Sequence, residues 1–473
     1  MLAKLTGFAA DIVLAWFLTR GDFGAVGLAV AIAALFGTIQ QAGLRDILTQ
    51  RQKRFGRWAT PAFWMSLALG LLCTLLMAAS APVLAQLFDL PALRGLVVLL
   101  SVRCLLDALA IVPQAKLQVE LRYRSIGGVA AITTLMQAGL SVLLASPRFG
   151  WGPYAVAAPM VMTSLVQAAL FWQLARPRVA LRARLPRWRW LARDATFAAT
   201  TGLVTIAIGY GDSGVLGLVR DPESVGVYYF AYRLAVQTTL IISASLGGVL
   251  FAALSRIQDT RERQVNATLS ALRTTALISM PLNGFQAAAA APLFHLVYGD
   301  RWDSAILPFQ LLSVAMAIGM LGAPSVSLMR AQGRFGAYLG WSTVSSILYL
   351  AAIVTGAWLG SAVGVAAAAL AAHSLLTLLW LRNATGGFAG FWRFVLSAIG
   401  APLLLAAASA ALALGTRQLI PGVRESNILG AVWIGGWMSV AYLVLIRVFL
   451  RGAWDELIAR VRSVGGRSPA GAA

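Results

Sequence analysis

Residues 176–194 read RPRVALRARLPRWRWLARD, with arginine at 176, 178, 182, 184, 187, 189 and 193. Mostly apolar sequence flanks this stretch on both sides. Arginines resist passage through hydrocarbon, and short basic loops stay on the cytoplasmic side, so the stretch orients every span around it. Trp188 and Trp190 are then expected at the headgroup level. Two readings stand for the loop: a topogenic mark alone, or a mark that also touches anionic lipid or a partner protein.

Composition leads the same way. The chain has 59% hydrophobic and only 12% charged residues, with a mean hydropathy of +0.78. Apolar runs of membrane-spanning length recur along it, which excludes an ordinary soluble domain and points to an all-α polytopic membrane protein. The net charge of +21 resembles a nucleic-acid signature until the arginines are placed. They fall in short loops and form no continuous face, so nucleic acid is not an expected partner. Cys73 and Cys104 both lie in apolar runs, without a CxxC or a His/Cys cluster. They read as small packing residues, not as a disulfide or a metal site.

Fourteen candidate helices follow. Six precede the basic loop, at 2–19, 23–44, 59–88, 93–115, 126–146 and 154–175. Eight follow it, at 195–219, 225–254, 268–297, 305–329, 338–359, 362–381, 394–414 and 428–450. An even number puts both termini on one side. Assigning alternate loops to the side of the basic stretch places there about 28 of the 38 Lys and Arg, so the count and the cytoplasmic placement of both ends support each other. The first run is roughly 27 Å long as a helix, against a hydrocarbon core of about 30 Å, and a start upstream of Met1 is expected. No signal-peptide pattern precedes it. The segment 451–473 ends in GGRSPAGAA and is expected to be a loose cytoplasmic tail.

The chain also echoes itself. TRGDFGAVGLA at 19–29 is matched by VRDPESVGVYYFA at 219–231, with Gly24 and Ala29 spaced like Gly226 and Ala231. Pro113, Leu117 and Arg122-Tyr123 after the fourth span are matched by Pro324, Leu328 and Arg334-Phe335 after the tenth, with one residue of slip. An offset of six helices gives halves of like topology, related by an axis along the membrane normal. The expected division is a six-helix lobe at 1–175, the basic interlobe loop at 176–194, a second six-helix lobe at 195–381, two additional spans at 382–450 and the tail. Such paired bundles are a transporter architecture.

Ionisable groups inside spans are costly and mark candidate functional positions. Lys4 and Asp11 share a face of the first span. On the fourth, Arg103 and Asp107 are spaced i,i+4, and Gln114 continues the stripe. The seventh aligns Thr201, Thr205 and Asp212; the eighth aligns Tyr229, Arg233 and Gln237. If the bundles face each other, these stripes line one polar cavity. Each has a plainer alternative: Arg103/Asp107 as a self-satisfied ion pair, Asp212 and Arg233 as a brace between lobes, Lys4 as a snorkelling end group. His295 and His373 read as packed or interfacial, since no carboxylate follows either at helical spacing. Asp300 and Asp303, with Arg301 and Trp302, read as an interfacial turn. The sequence contains no HExxH, GxSxG or GxxxxGK[ST], and no acidic cluster in a large loop, so no enzyme chemistry has named residues here.

Seven stretches in order, VLAWFLTRGDFGAVGLA, GLRDILTQRQ, PQAKLQVELRYRSI, YGDSGVLGLVRDPESVGVYYFAYRLA, FAALSRIQDTRER, VYGDRWDSAILPFQLLS and LMRAQGRFGAY, together resemble Wzx-like oligosaccharide flippases of the polysaccharide transporter branch of the MOP superfamily. The likeness runs from about residue 12 to residue 381. LVRDPES departs from the commoner Gly-containing turn of that family, and the chain starts later than such proteins usually do. The resemblance implies two lobes of alternating access plus two extra helices, moving a polyprenyl-diphosphate-linked oligosaccharide to the outer leaflet of a bacterial inner membrane, without catalysis. Its partners would be that substrate, membrane lipids and a polysaccharide polymerase or other export component. On that reading Arg233 and Arg103 hold the diphosphate, with Arg45 at the cytoplasmic mouth; Asp11, Asp107 and Asp212 hold those arginines when the slot is empty or couple to an ion. No cofactor is expected, and protons, sodium or membrane potential supply the drive. The alternatives are an organic-cation exporter of the same superfamily, whose cavity should be acidic and aromatic, a membrane glycan ligase or polymerase, which needs a large outer loop, and a non-transporting scaffold.

Overall fold

The computed structural model describes residues 2–180, 187–257 and 260–451, with the side chains of 2–5, 197, 241–249, 251–253, 255–256 and 335 left aside. Arg182, Arg184 and the tail beyond Arg451 thus lie outside the described residues, as does the side chain of Lys4. The helices in chain order are α1 (Leu2–Phe17), α2 (Arg20–Gln41), α3 (Leu44–Gln50), α4 (Phe55–Leu87), α5 (Pro91–Val119), α6 (Tyr123–Ala145), α7 (Tyr154–Ala175), α8 (Trp188–Val219) and α9 (Pro222–Arg256). They continue with α10 (Arg261–Ala288), α11 (Ala290–Tyr298), α12 (Asp303–Gly319), α13 (Gly322–Ala331), α14 (Phe335–Thr385), α15 (Phe391–Val395), α16 (Ala401–Leu419), α17 (Pro421–Glu425) and α18 (Asn427–Phe449).

Every described element is helical or a turn, and the fourteen expected spans are recovered as an all-α multi-pass fold. Five of them carry breaks, a join or a π turn that the apolar runs hide. The ninth span is α10 and α11, interrupted at Ala289; the tenth is α12 and α13, interrupted at Met320 and Leu321. The eleventh and twelfth run together as α14, which folds back where Gly360 and Ser361 leave helical geometry. There Gly356 and Gly364 meet backbone to backbone: a Cβ on Gly364 would stand 2.2 Å from the Gly356 carbonyl oxygen. The thirteenth span passes from α15 through a π turn, Leu396–Gly400, into α16.

Contacts divide the chain into two compact units. One comprises the chain up to Leu234 with Leu339–Ala368; the other comprises Ala235–Tyr338 and the chain from Ala369 on. In the first, α5 packs against α2, α4 and α7, and buries Leu93, Leu96, Val97 and Leu100 completely. Small residues let α4 approach it: a Cβ on Gly70 would meet Ala108 Cβ at 2.6 Å, and Ser66 and Thr74 hydroxyls donate to the Ala108 and Ser101 carbonyls. Such small, hydrogen-bonding interfaces associate helices where lipid removes the hydrophobic drive. Cys73 and Cys104 are buried and free, in keeping with a packing role. In the second unit α10, α12, α16 and α18 enclose Leu272, Met280, Leu321, Ile434 and Met438, and the Tyr442 hydroxyl donates to the Leu277 carbonyl at 3.2 Å.

Both sequence echoes have a structural meaning. Gly24 and Gly226 face each other where the first turns of α2 and α9 cross; a Cβ on Gly24 would stand 2.0 Å from the Pro222 carbonyl oxygen, and one on Gly226 1.8 Å from that of Arg20. The two equivalent glycines thus make one reciprocal contact, with Phe23 and Phe230 rings 5.2 Å apart beside it. In the second echo Arg122 donates to the Leu174 carbonyl at the end of α7, and Arg334 donates to Asn383 and Ala384 at the end of α14. A helix leaves its last carbonyls without intrahelical donors, and a basic side chain satisfies them while opposing the dipole. The first crossing is sterically unforgiving. Gly226→Val is expected to lower the unfolding temperature of the purified protein measurably, by the equivalent of about 1–3 kcal/mol of overpacking or more, whereas Gly37→Val, which faces open space, costs only ordinary helix propensity.

Candidate functional site

The chain leaves α2 through two left-handed residues, Ala42 at φ 42° and Gly43 at φ 63°, and turns at once into α3. Gly43 has a second reason to be glycine, since a Cβ there would stand 2.3 Å from Ala198 Cβ on α8. This turn sets Arg45 and Asp46 opposite the polar stripe of α5. The resulting cavity, about 190 Å³, is lined by Gln41, Arg45, Asp46, Arg103, Asp107, Gln114 and Gln167 among others. Arg103 Nε donates to Asp107 Oδ2 at 3.1 Å, and both side chains are only partly buried. Arg45 Nε lies 3.7 Å from Asp46 Oδ1, too long for a hydrogen bond, and is buried without a hydrogen-bond partner. Two arginines, two carboxylates and three glutamines therefore share one cavity in which one guanidinium retains a free donor.

Arg233 is elsewhere in the same unit. Two turns beyond Gly226 on α9, it forms a bidentate ion pair with Asp11 of α1, through Nε to Oδ2 at 3.1 Å and Nη2 to Oδ1. Asp11 is 4% exposed, and the Tyr229 ring lies 5.9 Å from the guanidinium. A separate cavity of about 90 Å³ touches this pair, with Thr134, Gln137 and Ser141 of α6 on its wall. The stripes of the first, fourth and eighth spans thus open on two cavities and not on one shared cavity. Two of the three arginines of the reading hydrogen-bond a carboxylate, Arg103 to Asp107 and Arg233 to Asp11, and Arg45 does not.

Asp212 differs. It is 1% exposed and accepts from the Tyr228 hydroxyl at 2.6 Å and the Ser213 amide at 2.8 Å. Among the described residues it pairs with no arginine, which corrects the expectation that it holds one. Tyr228 went unnoticed in the sequence because tyrosine in an apolar run carries no charge signal, although its i,i+4 stacking on Tyr232 is a helical spacing. Thr205 merely donates to the Thr201 carbonyl of its own helix.

Two further placements depart from the sequence reading. His295 does have a carboxylate, with Nε2 3.1 Å from Asp303 Oδ1, because a 3-10 turn, Gly299–Trp302, folds α12 back beside α11. Ligand atoms of His295, Asp300 and Asp303 lie within 4.8 Å of one another, although the sequence suggested no metal ligands. His373 fills the space left by Gly319, where a Cβ would stand 2.8 Å from its Nδ1. The described ends of the basic loop are fastened to α4 and to the end of α3: Trp64 Nε1 donates to the Ala180 carbonyl, Arg187 Nη1 to that of Arg57, and Arg51 pairs with Asp194 at 2.5 Å while stacking on Trp58. Trp188 packs partly into this cluster and Trp190 stays 66% exposed, so the two tryptophans differ in environment.

Removing one member of a buried ion pair leaves an uncompensated charge, which costs about 3–5 kcal/mol, while removing both leaves none. Asp11→Asn is therefore expected to depress the unfolding temperature more than the double change Asp11→Leu/Arg233→Leu does, a comparison made by thermal unfolding of the purified proteins.

A family model described as polysaccharide biosynthesis protein matches residues 13–307. The lipopolysaccharide biosynthesis protein WzxC of Escherichia coli (strain K12) is 25% identical over 390 residues, covering 79% of this chain and 76% of that one. The succinoglycan biosynthesis transport protein ExoT of Rhizobium meliloti (strain 1021) is 24% identical over 356 residues, covering 75% and 72%. Among solved structures, the lipid II flippase MurJ in an inward closed conformation superposes over 95% of this chain and 97% of its own with a TM-score of 0.78 at 13% identity, so the fold is shared.

Proposed function

The chain belongs to the polysaccharide biosynthesis protein family, and from that premise we propose that it carries a polyprenyl-diphosphate-linked oligosaccharide from the cytoplasmic to the outer leaflet of a bacterial inner membrane, with both termini cytoplasmic. The observation that carries this reading is the cavity holding Arg45 and Arg103 with Asp46, Asp107 and three glutamines. A diphosphate cannot cross hydrocarbon bare. Planar guanidinium groups grip it through paired, charge-assisted hydrogen bonds, and glutamine amides serve hydrated sugar hydroxyls. The carboxylates keep the arginines neutralised while the slot is empty. Substrate phosphate then replaces Asp107 at Arg103, and in the other open state Asp11 at Arg233, so that binding and the switch between states share one exchange of partners.

In this scheme the repeats at 1–175 and 195–381 alternate access, and a ligand drives the change only by binding the two states unequally. The buried Asp212, held by neutral donors, is the group left for ion coupling. Lipids and export components such as a polymerase are the remaining partners. The reading is transport and not catalysis. An organic-cation exporter fits less well, because the cavity has guanidinium groups where a cation would sit.

Arg103→Glu and Arg233→Glu are each expected to abolish glycan export at normal membrane levels of protein, while Arg103→Lys retains part of it. Export is scored by surface polysaccharide and protein level by immunoblot. Wild-type export from Arg103→Glu would remove that arginine from the path.

A further inference from the structure

The second echo repeats a capping device but not its charges. After α5, Lys116 Nζ donates to the Ala175 carbonyl and Arg122 to that of Leu174. Glu120 stands between the two cations, 3.6 Å from Lys116 Nζ and 3.7 Å from Arg122 Nη1. One carboxylate thus offsets part of the charge of two cations. After α13, Arg334 performs the same capping, two residues after Gln332 as Arg122 is two residues after Glu120. The carboxylate of the first repeat has become a neutral amide.

A second cation comes from the start of α10. Arg261 leans across Gly386, whose missing side chain makes room: a Cβ there would stand 2.7 Å from Arg261 Nη2. Arg261, Gln264, Gln332, Gly333 and Arg334 line an open cavity of about 780 Å³, within the usual range of ligand pockets. Neither arginine pairs with a carboxylate among the described residues. The bonds already present are long and easily redirected, at 3.2–3.4 Å from Arg334 to its caps and 3.4 Å from Gln332 Nε2 to Gln264 Oε1. Gln264 is 4% exposed and is fixed by donating to the Leu254 carbonyl at 3.0 Å, which gives the cavity a rigid wall.

We propose that this cavity binds a phosphate-bearing anion, gripped by Arg261 and Arg334 with the Gln332 amide as a third donor. Two guanidinium groups with no carboxylate partner among the described residues give the concave site a positive field, and phosphate oxygens match their fork geometry. Inorganic diphosphate and the headgroup of an anionic phospholipid offer the same chemistry. The site belongs to the unit of α10 and α13 and shares no lining residue with the Arg45/Arg103 cavity, and it does not depend on the transport reading.

The test uses the full-length protein purified in detergent and in nanodiscs. Binding of sodium pyrophosphate is measured by calorimetry, and stabilisation by phosphatidylglycerol over phosphatidylcholine nanodiscs by thermal unfolding. Two variants accompany the wild type. Gln332→Glu restores the carboxylate of the first repeat, and Arg261→Gln removes an exposed cation that caps no helix. Each is expected to weaken anion binding by about tenfold or more, as loss of a charge-assisted pair does. Pyrophosphate binding in phosphatidylcholine discs identifies a soluble anion as the ligand; a response to phosphatidylglycerol alone identifies the headgroup. The absence of both responses, or wild-type binding by both variants, would overturn the proposal.

Discussion

A guanidinium held among membrane-spanning helices needs partners for its donors, and two ways of supplying them recur among the described arginines of this chain. Arg122, Arg220 and Arg334 spend their donors on the exposed carbonyls at helix ends, Arg220 on Ala357 and Trp358 at 3.0 and 2.9 Å. Those contacts fix helices in place. Arg103 and Arg233 instead face carboxylates, and a carboxylate is chemically the nearest protein group to a phosphate. On the proposed function, what holds such an arginine at rest is also what a phosphate ligand replaces. This exchange costs less than binding by a bare buried cation, whose own desolvation would first have to be overcome.

The geometry of that exchange rests on backbone proximity. Arg233 sits two turns along α9 from Gly226, and Gly226 touches Arg20 and Gly24 at the start of α2 with no space for a methyl group. Arg45 depends in the same way on Gly43, which needs both its left-handed backbone and its clearance from Ala198. Neither glycine has a side chain with which to bind a ligand. Both set where an arginine can stand.

The spans were legible because bilayer thickness imposes a length on apolar runs, and the long helices agree with them to within several residues at most ends. The breaks at Ala289 and at Met320 and Leu321 were not legible, since no proline or charge falls at them and tertiary packing makes up for the lost ladder bonds. Local pairs could be read and distant ones could not. The Arg103/Asp107 spacing is a helical neighbour relation, whereas Asp11 and Arg233 lie 222 residues apart and meet only through the fold. The His295–Asp303 contact escaped because its separation of eight residues spans a 3-10 turn, which no single-helix periodicity describes. Asp212 was correctly marked as buried and costly, but its partner is a neutral tyrosine, and charge complementarity alone pointed to an arginine. The few short sequence echoes correspond in the structure to the reciprocal glycine contact and the arginine caps.

The central claim concerns the step at which the chain acts. In a strain lacking it, lipid-linked oligosaccharides are extracted and their leaflet is established by labelling with a membrane-impermeant reagent. The account predicts completed units accumulating on the cytoplasmic leaflet, with surface polymer lost. Completed units accumulating on the outer leaflet, unpolymerised, would contradict it and place the protein after translocation.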